Sequence, residues 1–85
     1  MQAVLYAGRR IDLGTPEFAL LAELMRNAGH IVTRAMLIER IWHRGFQPRT
    51  NILNVHLSNL RARLRTGFEI DPIETIHREG YRLRA

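Results

Sequence analysis

The chain has 85 residues, of which 46% are hydrophobic and 25% are charged, and its formal net charge is +5. This length supports one small core, and the mixed composition excludes a disordered tail, a collagen-like repeat and a low-complexity linker. The absence of cysteine excludes disulfides, thiolate catalysis and cysteine-based zinc modules, and no apolar run approaches the ~18 residues of a membrane-spanning helix.

The positive charge is concentrated in one stretch of the chain. All 13 basic residues are arginine, and residues 40–68 hold six of them and no carboxylate, whereas the remainder has seven arginines and eight acids. A polyanion is therefore the expected partner of this stretch. A basic solvated face without a partner is the alternative interpretation. Because residues 1–10 lack the features of a signal peptide, we expect a cytoplasmic domain.

The first predicted elements are a short hairpin and a helix. Residues 4–13 contain two β-prone segments around a glycine turn. Thr15 is the expected N-cap of the helix, and Pro16 occupies its first position. Residues 27–29 are expected to end it, with Gly29 supplying a positive φ. The expected buried face comprises Phe18, Leu21 and Met25, with Leu20 and Leu24 beside them.

A short extended segment and a second helix are predicted next. Residues 30–32 are expected to be extended, and Thr33 is the next predicted N-cap. Residues 43–49 contain both Gly and Pro, which predicts a loop after this helix. The apolar face of the second helix is expected to comprise Ala35, Leu37, Ile38, Ile41 and Trp42.

A third helix is predicted from about residue 50 to residue 65, with Gly67 after its end. Residues 72–76 and 81–84 are then expected to be two strands joined by residues 77–80. Leucines at helical spacing define the buried stripe of the third helix, namely Leu53, Leu57, Leu60 and Leu64.

The outward side of the third helix carries short amides and a hydroxyl, which are mediocre helix formers. Asn donates and accepts hydrogen bonds together, which matches the edge of adenine in a major groove, and Val55 suits a thymine methyl. An exposed helix whose asparagines only cap and solvate is the alternative interpretation. The predicted base-reading residues are Asn51, Asn54, Val55, Ser58 and Asn59, and the predicted phosphate-contacting residues are Arg61, Arg63 and Arg65.

The terminal hairpin is also basic. Its tip carries His77 and Arg78, and Arg82 and Arg84 lie on the return strand. A basic hairpin beside such a helix fits a neighbouring minor groove, where the negative potential favours arginine. Charged tips are common in hairpins, so this pattern alone has low specificity.

Four motifs follow one another along the chain. Residues 13–21 read LGTPEFALL, and residues 30–42 read HIVTRAMLIERIW. Residues 55–61 read VHLSNLR, and residues 75–81 read TIHREGY. These motifs resemble those of the OmpR/PhoB-type winged-helix effector domains of two-component response regulators, and the resemblance covers residues 4–85.

The resemblance implies an α+β winged helix-turn-helix fold with three helices, a short N-terminal hairpin and a C-terminal hairpin, the wing (residues 72–84). It implies that the third helix enters the major groove and that the wing contacts the minor groove or its phosphates. DNA-backbone contacts are implied for Arg34, Trp42, Thr75, His77 and Arg78. The loop at residues 43–49 occupies the place of a loop that contacts RNA polymerase or a neighbouring subunit, with Arg44, Gly45, Phe46, Gln47, Pro48 and Arg49 as the contact residues for polymerase.

The resemblance also implies partners and regulation. Members of this family bind double-stranded DNA head-to-tail on direct repeats, prompted by phosphorylation of an N-terminal receiver domain by a sensor kinase. Because 85 residues cannot contain both parts, we expect residues 1–85 to be a single C-terminal effector domain that is monomeric when free.

Three features depart from the family pattern. The chain has residues for only the last hairpin of a sheet that commonly has four strands. Asn54 stands where the family usually has Asp, and Ser58 and Asn59 stand where many members have Arg. His77 and Arg78 replace an Arg-Gly pair, and because Arg adopts positive φ less readily than Gly, a differently shaped wing turn is expected.

Other classes of function compete with DNA reading. The histidines at 30, 43, 56 and 77 form no i,i+4 pair, and the chain has no Gly-rich phosphate loop or nucleophile motif, which disfavours an enzyme, a metal site and a cofactor. Scarce aromatic residues disfavour an RNA reader. A winged-helix module that docks on an acidic protein partner is the main alternative.

Overall fold

The computed structural model describes residues 2–6, 8–41, 52–65 and 71–84, without the side chains of residues 40 and 41. The predicted α+β order of a hairpin, three helices and a second hairpin is confirmed. Its elements are β1 (Gln2–Tyr6), β2 (Arg9–Leu13), α1 (Thr15–Arg26), α2 (Arg34–Ile41), α3 (Ile52–Arg65), β3 (Ile73–Ile76) and β4 (Gly80–Leu83). The predicted loop at residues 43–49, with Trp42 and Asn51, lies outside the described residues.

The N-terminal hairpin forms as predicted. Strands β1 and β2 are antiparallel, Tyr6 pairs with Arg9, and Gly8 supplies the left-handed turn residue with φ +79°. Alternation along β2 buries Ile11 and Leu13 against the helices. On β1, by contrast, Leu5 is 77% exposed. The hairpin therefore joins the core mainly through β2.

The N-cap predicted for α1 is wrong by one residue. Gly14 is the N-cap, in an extended conformation with φ −67° and ψ 164°, and no side chain caps the helix. The backbone N–H of Phe18 donates to the carbonyl of Gly14 across 2.9 Å. Since that carbonyl accepts the first helical hydrogen bond, Thr15 is already inside the helix. Pro16 still lies in the first turn, where a missing N–H is tolerated.

The buried face of α1 is rotated from the predicted one. Met25 is 48% exposed and Phe18 is only partly buried, because residues one position apart differ by 100° around a helix and Leu24 takes the inward direction. The predicted stop is confirmed, with Gly29 at φ +83°. The face that packs on the core consists of Leu20, Leu21 and Leu24, with the buried Glu17 on the same side.

Thr33 caps α2 as predicted. Its hydroxyl accepts a hydrogen bond from the backbone N–H of Met36 across 3.1 Å. Leu37 is fully buried and Ile38 packs against the core. The prediction for Ala35 is wrong, because this residue lies about 200° from Leu37 around the helix and is exposed.

The leucine stripe predicted for α3 is confirmed. Its four leucines are at most 2% exposed, and α3 packs against both α1 and β2. Together with residues of the other elements they make one core. The members of this core from the second half of the chain are Leu53, Leu57, Leu60, Leu64, Ile73, Tyr81 and Leu83.

The wing is fastened to the segment that leads into α2. Val32, in the predicted extended segment, exchanges two backbone hydrogen bonds with Tyr81, of 2.7 and 2.9 Å. Gly80 has φ +151°, and a Cβ at that position would lie 2.2 Å from the carbonyl oxygen of Val32. Only glycine fits so close a backbone approach. This contact fixes the wing beside α2.

The turn of the wing contains a left-handed residue. Arg78 itself adopts φ +64°, although a side chain costs about 1–2 kcal/mol in the left-handed region. The N–H of Glu79 donates to the carbonyl of Ile76 across 3.0 Å and closes the turn. The left-handed residue is therefore present without a glycine. In the part of the chain that is described, no helix has the length and apolar character needed to cross a membrane.

Candidate nucleic-acid interface

The outward face of α3 is exposed as predicted. Asn54, Ser58 and Asn59 are exposed, and Val55 is 51% exposed despite its apolar side chain. Water solvates the side chain of an exposed valine poorly. This side chain is well suited to contact the methyl group of a thymine. The base-reading role of these residues stays a prediction, and Asn51 lies outside the described residues.

Asn59 lies on the flank of this face that borders α1. Oε2 of Glu17 lies 2.6 Å from Nδ1 of His56, and both side chains are largely buried. Burial of this carboxyl raises its pKa. Three hydrogen bonds and the charge of His56 outweigh burial and hold the pKa of Glu17 below its usual range. The hydrogen bonds come from His56, from a backbone N–H and from Asn59. Asn59 therefore faces a carboxylate as well as solvent.

Arg34 connects α2 with α3 and the wing. Its Nη1 donates to Oδ1 of Asn54 across 2.7 Å and to the hydroxyl of Tyr81 across 3.0 Å. The residue is exposed at the start of α2. The predicted backbone-contacting arginine and a predicted base-reading asparagine are thus one hydrogen-bonded pair.

Arg61 is turned toward the wing, and its guanidinium is not free on the outer face of α3. Its Nη2 donates to the carbonyl of Ile73 across 3.2 Å and to the hydroxyl of Thr75 across 2.5 Å. Its Nε lies 3.4 Å from a carboxylate oxygen of Asp71. Arg61 therefore holds α3 to β3, a contact that the predicted phosphate role did not include.

The other predicted phosphate-contacting arginines of α3 differ from Arg61. Arg63 and Arg65 are exposed in the last turn of the helix, where a cation also complements the helix dipole. Because their side chains are exposed, these two residues can reach a neighbouring anion.

The wing separates its charges between stem and tip. Arg82 donates two hydrogen bonds to Glu74, of 2.9 and 2.8 Å, and Nε of Arg84 donates to the carbonyl of Asp71 across 2.8 Å. The two strands β3 and β4 are the stem of the wing, and Arg82 in β4 and Arg84 directly after it are hydrogen-bonded to groups in the hairpin or next to it. The exposed residues toward the tip are Thr75, His77, Arg78 and Glu79.

Two open hollows lie on either side of Tyr81, a residue that the sequence did not single out. One, of about 410 Å³, lies between the start of α2 and the wing, and the other, of about 350 Å³, lies between α3 and the wing. The first is lined by residues that include Thr33, Arg34, Thr75, His77 and Arg78. The second is lined by residues that include Asn54, Ser58, Arg61, Arg65 and Asp71.

Most carboxylates near this surface already contact a basic side chain. Glu17 faces His56, Glu74 binds Arg82, and Asp71 lies beside Arg61. Among the described residues, no group of three or more histidine and acidic side chains is arranged to hold a metal ion. The arrangement suits recognition of an extended anion with polar edges, because it combines exposed amides with exposed arginines.

Comparison with known proteins identifies the family and the fold of the chain. The family model described as "Transcriptional regulatory protein, C terminal" matches residues 8–83. The chain is 41% identical over 78 residues to the transcriptional regulatory protein TcrA of Mycobacterium tuberculosis, covering 92% of the chain and 31% of TcrA. It is 40% identical over 70 residues to the sensory transduction protein RegX3 of Mycobacterium bovis, covering 82% of the chain and 29% of RegX3. The chain spans about a third of the length of these relatives.

Solved structures resemble the fold closely. The DNA-binding domain of Escherichia coli CadC superposes with a TM-score of 0.82 at 25% identity, covering 98% of this chain and 78% of that domain. The DNA-binding domain of Klebsiella pneumoniae RstA, solved in complex with the RstA box, gives a TM-score of 0.77 at 29% identity. That match covers 96% of this chain and 82% of the RstA chain. Both neighbours are DNA-binding domains, and the described elements of this chain follow their winged-helix architecture.

Proposed function

Because the chain belongs to the family of C-terminal domains of transcriptional regulatory proteins, we propose that it binds double-stranded DNA sequence-specifically as the output domain of a two-component regulator. In this proposal α3 enters the major groove and the wing reaches the adjacent minor groove. The observation that carries it is the outward face of α3, where Asn54, Val55 and Ser58 are exposed. Amides, a hydroxyl and a methyl-bearing side chain are groups that read base edges.

The proposed division of labour follows from exposure. Arg63, Arg65 and Arg78 are exposed and so are assigned to phosphates, which supply sequence-independent affinity. Arg34 is also exposed and lies beside the base-reading face. The proposed base-reading residues are Asn51, Asn54, Val55, Ser58 and Asn59, and further phosphate contacts are assigned to Trp42, Thr75 and His77.

The partners of the whole regulator are part of the same proposal. A direct-repeat operator, a receiver domain and its sensor kinase follow from the family, and the loop at residues 43–49 is assigned to RNA polymerase. The domain acts in the cytoplasm, needs no cofactor or metal, and performs recognition without catalysis. It is monomeric in isolation and pairs head-to-tail on DNA.

Selection of bound duplexes from a random pool, followed by a salt titration, tests the proposal. We expect one enriched sequence that binds on the order of 10³-fold more tightly than its shuffled control. We also expect log Kd to rise linearly with log salt between 50 and 200 mM, as counterion release requires. Failure to enrich any sequence, with a Kd no better than ~10⁻⁴ M at 50 mM salt, would overturn the proposal. That outcome would favour the alternative of a winged-helix module for an acidic protein partner.

A further inference from the structure

The contact between Arg34 and Asn54 fixes which end of an amide faces the DNA. Both hydrogens of Nη1 are used, one on Oδ1 of Asn54 at 2.7 Å and one on the hydroxyl of Tyr81 at 3.0 Å. A guanidinium has only donors, so the group of Asn54 that faces it must be the carbonyl oxygen and not the NH₂. The carboxamide of Asn54 is therefore oriented with its oxygen toward Arg34, because the guanidinium can only donate.

We propose that Arg34 is a specificity-determining positioning residue: it holds the carboxamide of Asn54 so that its NH₂ group reads a hydrogen-bond acceptor on a base edge. This inference rests on the proposed function, because it requires α3 to lie in the major groove. Among the described residues, the bond to Arg34 is the only hydrogen bond of the Asn54 side chain. Both hydrogens of its exposed Nδ2 are then available to DNA.

The base that this geometry favours differs from the one that asparagine usually reads. Bidentate recognition of adenine needs the amide oxygen to accept from N6 while the nitrogen donates to N7. Here the oxygen already accepts from a charged donor, which competes with that bond. Guanine offers two acceptors, O6 and N7, and cytosine offers only a donor, N4. Asn54 is therefore expected to prefer guanine and to reject cytosine.

The support for Arg34 comes from a buried residue. Tyr81 is 8% exposed, and its backbone exchanges two hydrogen bonds with the fully buried Val32. Its hydroxyl is consequently a fixed acceptor for Nη1 of Arg34. Because Nε and Nη2 of Arg34 remain, the same side chain can also contact a phosphate, so a loss of affinity alone does not test the proposal.

The test is selection of bound duplexes from a random pool by the wild-type chain and by variants, compared at the single position that Asn54→Ala relaxes. We expect guanine over cytosine by about tenfold or more at this position in the wild type. Arg34→Met frees the carboxamide, so adenine should gain on guanine there. Asn54→Asp keeps an oxygen on Arg34 and replaces the donating NH₂ by an acceptor, so the preference should move to cytosine or adenine, whose amino groups donate.

Arg63→Met is the matched control, since it removes another exposed arginine, which lies about 180° around α3 from Asn54. It should weaken every sequence alike and leave the preference at this position unchanged. If Arg34→Met proves unfolded by circular dichroism, Asn54→Asp decides the matter, because it leaves Arg34 and Tyr81 in place.

The outcomes separate this inference from the proposed function. An unchanged base preference in both Arg34→Met and Asn54→Asp, with specific binding retained, would overturn the positioning role and leave the DNA-reading function standing. A wild-type chain that enriches no sequence would overturn both.

Discussion

The guanidinium of Arg61 lies over the ring of Tyr81, with its Cζ 5.6 Å from the ring centroid. A cation this close to an aromatic face is attracted by the ring quadrupole. The same Arg61 donates to Ile73 and Thr75 on β3. Tyr81 in turn accepts from Arg34. One arginine from α2 and one from α3 therefore meet at a single wing tyrosine, which links the helix and hairpin that the proposed function assigns to DNA.

Arg61→Ala should destabilise the fold by about 1–3 kcal/mol, because it removes charge-assisted hydrogen bonds that are partly buried. Urea unfolding followed by circular dichroism measures this change. Arg63→Ala is the control, and as a substitution of an exposed residue it should stay within about 0.5 kcal/mol of wild type. Equal stability of the two variants would show that the contact between α3 and the wing contributes nothing.

Arg65→Ala should weaken binding to all DNA sequences alike and flatten the salt slope of log Kd by about one unit, because it removes one phosphate contact. A salt titration with the selected duplex and with its shuffled control measures both effects. Arg61→Ala should leave the slope closer to wild type, since its guanidinium is engaged on β3. The assignment of phosphate contacts fails if the slope changes with Arg61 and not with Arg65.

Glu17→Gln should lower stability near pH 6 by about 1–3 kcal/mol, because it removes the charged acceptor that faces His56. Hydrogen bonds outweigh burial and lower the pKa of Glu17 in the folded state. The stabilisation from this carboxylate is therefore present above the unfolded glutamate pKa of about 4.3 and is lost as the pH falls through the lower folded pKa. The wild type should thus approach the variant in stability between about pH 5 and pH 3.

Urea midpoints of wild type and Glu17→Gln, measured across that pH range, provide the test. Asp12→Asn serves as a control, because Asp12 is an exposed carboxylate whose contact with Arg10 is long, at 3.4 Å. A stability gap between wild type and Glu17→Gln that stays constant down to pH 3 would contradict the lowered pKa.

Gly80→Ala should be the most damaging single substitution in the wing. A Cβ there would lie 2.2 Å from the carbonyl oxygen of Val32, at a backbone φ of +151° that side chains avoid. We expect a loss above about 3 kcal/mol, as for other strained and overpacked substitutions. Gly8→Ala is the matched control: its φ is also positive, at +79°, but its Cβ would meet nothing within 4 Å. It should cost only about 1 kcal/mol, and thermal melting distinguishes the two.

The sequence predicted those elements whose signals are local. The leucines of α3 repeat at helical spacing, and Thr33 precedes an apolar stretch as an N-cap should. Where two adjacent residues were both candidates for one role, the prediction chose the wrong neighbour. Gly14 replaced Thr15 as the cap of α1, and Leu24 replaced Met25 in the core. Packing decides between Leu24 and Met25, which the pattern treats as equivalent, and the cap of α1 is decided by the carbonyl of Gly14, which accepts the first helical hydrogen bond.

The candidate DNA-binding surface was predicted less fully, because its connections join distant parts of the chain. The outward amides of α3 followed from helical geometry, since residues opposite a buried stripe must be exposed. The pairs Arg34–Tyr81 and Glu17–His56 span 47 and 39 residues, and no local pattern encodes them. A usable signal existed for Tyr81 alone, because it alternates with the buried Leu83 on β4 and therefore points inward.

The division of the wing into a fixed stem and an exposed tip has a consequence for divergence among regulators. Residues 77–79 are exposed and lie between Ile76 and Gly80, whose backbone pairing closes the hairpin. Side chains in this triplet can change with little cost to folding, provided that position 78 keeps a residue tolerant of φ near +64°. The stem, by contrast, accepts almost no change at Gly80. Under the proposed function, exchange of these three residues would therefore change the minor-groove contact of the wing while the scaffold stays the same.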